Sequence, residues 1–201
     1  MKRYSALLLL SAALGIPAAQ ADTISYGFGV DTSGIVSPTG GYIDFEFNQA
    51  NDLDSLSATA TITSFYAEGF TFDSPALTSA GVTGDLFSPP PVVIPNDQSF
   101  ANYFTQPVDV WGSVFYFVVQ LSGDAVGTSA PDGSAFYVFL LDRSYNTLAG
   151  SLSAGEVLNV TIGTDGVAVR EDSELSGPVP EPGTLWMGLG VIAVAAWKRR
   201  A

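Results

Sequence analysis

The sequence predicts an all-β protein, an antiparallel β-sandwich of jelly-roll-like design, with an N-terminal signal peptide before it and a single C-terminal transmembrane helix after it. Three observations carry the fold. Apolar and polar residues alternate over much of the body with the two-residue period of a half-buried strand. Clusters of Gly, Ser, Thr, Asp and Pro interrupt these runs at short intervals, as in domains built of many short strands. No stretch of the body repeats with the helical period of about 3.6 residues. Roughly seven to ten strands are expected, and a sandwich or jelly roll accommodates that number.

The two ends come first, because targeting segments must be set aside before fold reasoning. Met1-Lys2-Arg3 is a short positive start, and Ala6 to Ile16 is an uncharged apolar run of 11 residues. Pro17 breaks it, and Ala19 and Ala21 stand at the two small positions a signal peptidase reads, so cleavage is expected after Ala21. The run is too short for a hydrocarbon core that takes about 20 helical residues. At the other end Gly183 to Trp197 is uncharged and mostly apolar, and Lys198, Arg199 and Arg200 follow at once. Three adjacent cations cannot pack into a core. They fit the basic flank that stops a helix on the cytoplasmic side, with Trp186 and Trp197 at interfacial positions. The divisions read from this are 1–21 signal peptide, 22–170 β-domain, 171–178 acidic linker, and 179–201 tail with membrane helix and basic end.

Within the body Thr23 to Val30 is the first candidate strand. Tyr42 to Phe47 alternates cleanly, with Ile43, Phe45 and Phe47 on one face and Asp44 and Glu46 on the other. Leu56 to Thr63 alternates apolar and hydroxyl residues, and Phe65 to Phe72 continues past a break at Gly69. Ser88 to Asp97 holds four prolines and reads as a surface loop, because proline lacks the donor a central ladder needs. Trp111 to Leu121, apolar on both faces from Val114 to Val119, and Phe136 to Leu141 read as central strands covered on both sides or as strands beside a tight partner. Leu158 to Ile162 and Val167 to Val169 flank a four-residue hairpin loop, Gly163 to Gly166. Glu171 to Gly177, with Pro178, reads as a polar linker.

Charge and composition exclude much chemistry. Only Arg143 and Arg170 are basic among residues 22–178, against nineteen of the twenty acids, which gives the body a net charge of −17. Such a field repels nucleic acid and anionic lipid. The chain has no Cys and no His, and the body has no Lys. Nucleophiles activated by His or Lys, Schiff-base chemistry and His- or Cys-ligated metals are therefore not expected, and the protein is read as no enzyme. Three weaker options remain. Asp44 and Glu46 could serve as a glycosidase carboxyl pair, although alternation by itself puts both in solvent and is the reading preferred. A structural calcium could use Asn51, Asp52 and Asp54 or the Asp132-Gly133 loop, since calcium takes oxygen ligands alone; no other cofactor is expected. Trp111 and Tyr103, near strand starts, could stack on sugars, or else cover an edge of the core. Asp142 and Arg143, adjacent in sequence, are expected to form a surface ion pair.

The tail also resembles a known signal. Val179-Pro180-Glu181-Pro182, an apolar run and Lys198-Arg199-Arg200 resemble the PEP-CTERM sorting signal of Gram-negative bacteria, over Pro178 to Ala201. The resemblance implies recognition of Pro180, Glu181 and Pro182 by an exosortase, a membrane-embedded, cysteine protease-like transpeptidase. It implies passage through the inner membrane and release to, or attachment at, the cell surface, often beside exopolysaccharide loci. The stretches Val30-Asp31-Thr32-Ser33-Gly34-Ile35 and Gly40-Gly41-Tyr42-Ile43-Asp44-Phe45-Glu46-Phe47-Asn48 are similar to the opening of one group of PEP-CTERM proteins, as are Ser55 to Ala60 and Asn102-Tyr103-Phe104. That group has no assigned activity, so the resemblance brings no catalytic residues. The expectation is an exported, exosortase-sorted structural protein of the cell surface or the exopolysaccharide or biofilm matrix. The alternative is a carbohydrate-binding module acting on exopolysaccharide.

Overall fold

The computed structural model describes residues 23–35, 39–49, 56–96, 102–126, 133–150, 152, 154–163, 166–171 and 176–178. These form strands and no helix. In chain order they are β1 (Thr23–Asp31), β2 (Gly41–Asn48), β3 (Thr59–Glu68), β4 (Thr71–Phe72), β5 (Leu77–Thr78), β6 (Val92–Pro95) and β7 (Tyr103–Val110). Then come β8 (Val114–Ser122), β9 (Ala135–Leu141), β10 (Thr147–Ala149), β11 (Leu158–Gly163), β12 (Gly166–Glu171) and β13 (Ser176–Pro178). Every pairing between them is antiparallel. The smaller sheet runs β13-β1-β8-β3-β6 and the larger β12-β11-β9-β2-β7-β4, with β10 on β9 and β5 on β7. The two sheets share one core, an arrangement consistent with a β-sandwich.

Alternation builds that core. Ile43, Phe45 and Phe47 of β2 are fully buried, as are Val138 and Leu140 of β9 and Phe115, Val119 and Leu121 of β8. Phe45 of the larger sheet meets Phe117 of the smaller at 5.3 Å between ring centroids, edge to face at 76°. Such aromatic pairs add about 0.5–1.5 kcal/mol beyond their area burial. In β3 the pairing with β8 steps between Ile62↔Val119 and Ser64↔Val118, so Thr63 is an extra residue. This β-bulge keeps Ile62 and Phe65 on the core side, with Thr63 and Ser64 both exposed. Asn96, 2% exposed, links layers through its side chain. It accepts from Ala58 N and donates to Leu56 O and to Ser134 Oγ.

Several expectations are corrected. The proline-rich segment read as a loop contains β6, which ends at Pro95 opposite Thr59. Strand β6 is the edge of its sheet, where a missing N–H is tolerated. Trp111, Gly112 and Ser113 precede β8, which is central but buried on one face only, with Tyr116 39% exposed on the other. Residues Phe136 to Leu141 likewise bury Phe136, Val138 and Leu140 while Tyr137 and Phe139 are half-buried on the opposite face. The hairpin pairing extends out to Gly163↔Gly166, so its loop is shorter than the four residues expected. Part of the expected linker is a strand: Ser176–Pro178 pairs with Val30 to Phe28 of β1. The break expected at Gly69 falls between β3 and β4, while the short β5 and β10 have no clear sequence signal.

Candidate functional site

The outward face of the larger sheet collects the chemistry-bearing side chains. Strand registers set its rows. Tyr103, Glu46, Tyr137 and Asn159 lie in one row across β7, β2, β9 and β11. Thr105, Asp44 and Phe139 form the next row, and Pro107, Tyr42 and Leu141 the third. All are there because their neighbours Ile43, Phe45, Phe104, Phe136 and Val138 face the core, and side chains one residue apart on a strand point to opposite faces.

Asp44 is 7% exposed and accepts a short hydrogen bond from Thr105 Oγ1. Burial pushes its carboxyl up to about 7, and the neighbouring Glu46 carboxylate adds to the rise against the lowering bond from Thr105. Glu46 Oε2 in turn accepts from Asn48 Nδ2 at 2.8 Å. Burial, followed by the Glu156 and Glu46 charges, raises the Tyr137 phenol. Glu156, 1% exposed, accepts from Ala154 N. Thr161 Oγ1 donates to Asn159 Oδ1 at 2.7 Å and Asn159 Nδ2 donates to Glu156 Oε1 at 3.5 Å, which orients the amide with its nitrogen as the donor.

One corner of the face is held by a turn after β9. The Asp142 carboxylate accepts from Ser144 N, Asn146 N and Asn146 Nδ2, chiefly the bonds from Asn146 keeping it below the usual carboxylate range. The turn forces Tyr145 to φ +63°, uncommon for a residue with a Cβ. Its ring stacks on Tyr42 at 4.8 Å and is 56% exposed. The expected Asp142–Arg143 pair is not formed in this geometry. Arg143 instead bonds Asp109 Oδ1 at 2.7 Å, donates to Thr39 O and Val108 O, and covers the Tyr42 ring at 5.3 Å. The Asp142 carboxylate is already engaged by its own turn, while Asp109 lies beside the β2–β7 corner that Arg143 reaches.

The structure places the sequence-predicted residues unevenly. Tyr103 is on this face. Trp111 is not: it packs against the core, edge to face with Phe70 at 5.9 Å, its Nε1 buried with no hydrogen-bond partner among the described residues. Asp44 and Glu46 share the face as expected, but they interact with each other and Asp44 is buried rather than solvated. Sequence reasoning does not single out Tyr42, Thr105, Tyr137 or Tyr145; the alternation of Tyr137 with core residues is the one available signal. Asn51, Asp52, Asp54 and Asp132 lie outside the described residues, and among those described no group of three or more acids is placed to hold a metal. Ala19, Ala21, Pro180, Glu181, Pro182, Lys198, Arg199 and Arg200 also lie outside them. Among the described residues no helix is long and apolar enough to cross a membrane. Comparison of the chain with family models, with curated proteins and with solved structures finds no match.

Proposed function

We propose that this chain is an exported protein of the cell surface or extracellular matrix, without catalytic activity, whose folded domain is sorted by its C-terminal tail. The observation that carries this is the order Pro180-Glu181-Pro182, apolar run, Lys198-Arg199-Arg200, placed after a β-domain. In this reading signal peptidase removes residues 1–21 and an exosortase acts near Pro180 to Gly183, after the inner membrane has held the helix. The contact between Asp44 and Glu46 supports a non-catalytic domain, since a sugar hydrolase keeps its two carboxyls apart across the scissile bond. The test is the intact mass of protein extracted from the producing cell's surface. Loss of both end segments is expected; a chain retaining its last residues would argue for a permanent anchor instead.

The fold is read more finely as a jelly roll. In chain order β1, β2, β3, β4 with β5, β6, β7 and β8 alternate between the sheets, and such alternation supports a wrapped double Greek key. Strands β9, β11 and β12 then widen the larger sheet. A second reading, carbohydrate binding, is favoured by a specific observation: aromatic rings and hydrogen-bonding side chains alternate on the outward face of that sheet. Exopolysaccharide is the partner this reading names.

A further inference from the structure

Given carbohydrate binding, on which this inference rests, the rows on the larger sheet contain a spacing that selects among glycans. In the row Tyr103, Glu46, Tyr137, Asn159 an aromatic ring alternates with a carboxylate or amide. Tyr103 and Tyr137 stand on strands separated by one other, β2, so their backbones are two strand steps apart, about 9.5 Å. That is close to the length of two sugar residues in an extended chain. In an extended β-linked chain each ring is turned over relative to the last, so every second ring offers the same face. Glu46 accepts hydrogen bonds and Asn159 donates them, each at the step next to a tyrosine.

Charge narrows the occupant. The carboxylates of Glu46 and Glu156 lie on or beside this face, Arg143 is engaged by Asp109, and the body's net charge is −17. An anionic glycan is repelled from such a surface. We propose that the outward face of the larger sheet binds an extended, uncharged β-linked glycan lying across the strands, with Tyr103 and Tyr137 stacking on alternate sugars and Glu46 and Asn159 bonding the hydroxyls between.

The experiment is calorimetric titration of the full chain, in detergent, with cellohexaose, mannohexaose, maltohexaose and polygalacturonate. Tyr103→Leu and Tyr137→Leu keep apolar cover on the sheet and remove the ring; Tyr103→Phe keeps the ring; Tyr66→Leu removes an exposed ring from the other sheet. The expected result is binding of the β-linked hexaoses over maltohexaose and polygalacturonate, with each Leu variant on the larger sheet weakening it about tenfold or more. Tyr66→Leu should bind as the parent does, and Tyr103→Phe should recover most of the binding that Tyr103→Leu loses. Thermal melts matched to the parent confirm that the Leu variants fold. Binding that Tyr103→Leu and Tyr137→Leu leave intact would overturn this site while leaving carbohydrate binding standing. Preference for maltohexaose or polygalacturonate would overturn the extended, uncharged ligand. No binding to any of the four would remove the carbohydrate-binding reading together with this one. Self-association that masks the face and is broken by the same Leu variants would assign it to a second copy of the chain.

Discussion

Asp44 keeps its proton to about pH 7 because burial strips the water that would solvate its charge, and Glu46 beside it makes ionisation harder still. Its folded pKa is above the unfolded value of 3.8. The stabilisation this confers is therefore fully present below about pH 4 and is lost as pH rises through about 7. A shift of this size corresponds to an effect on the order of a few kcal/mol. Asp44→Asn keeps an acceptor for Thr105 and has no proton to lose. The parent's melting temperature should fall between pH 5 and pH 8, and the variant's should fall distinctly less. Equal slopes in the two proteins would locate the pH dependence elsewhere. None of this is legible in the sequence, where strict alternation puts Asp44 in solvent. The residues beside it, Thr105 of β7 and Phe139 of β9, are distant in sequence and joined to β2 only by sheet pairing.

At the scale of elements, side-chain period is a good guide wherever one face is buried. It places β2 within a residue of each end and finds the β11–β12 hairpin. It fails where two aromatic residues on the outer face make β9 look apolar throughout, because a tyrosine half-covered by neighbours reads like a core residue. It fails again at β6, where prolines signal a loop unless the strand is known to be an edge, a fact of topology and not of local sequence. The bulge at Thr63 gives a test of the register. Removing Thr63 should leave Ile62 and Phe65 on the core side, so the shortened protein should fold, with a loss of no more than about 1–3 kcal/mol by denaturant titration. Removing Val118 from β8, where no bulge absorbs the change, moves Phe115 and Phe117 to the opposite face. That protein should not show a cooperative unfolding transition. If both deletions behave alike, the register drawn for β3 and β8 is wrong.

For the whole molecule, net charge and order of synthesis matter most. A body of net charge −17 repels itself in the compact state. Salt should relieve this, because exposed charges farther apart than about 10 Å are largely screened at 0.1 M. The melting temperature should rise between 10 mM and 500 mM sodium chloride; a gain of about 1 kcal/mol corresponds to about 2–4 °C in a protein of this size. A flat or falling curve would mean that acid–acid repulsion is not a significant load on this fold. The domain is legible at this scale as an acidic all-β body, while the sheet order is not, since it depends on pairings such as Phe28↔Phe117 that join distant parts of the chain.

The pairing of β13 with β1 joins the first strand of the domain to its last described one. A chain delivered N-terminus first presents Phe28 and Val30 long before either neighbour of β1 has appeared. Until β8 emerges, that strand has no ladder to join, and until Ser176–Pro178 emerges its outer edge stays open to any passing strand. A holdase that shields extended apolar segments would have its longest opportunity there. Pairing of Ser176–Pro178 with β1 thus waits until every other described strand has emerged.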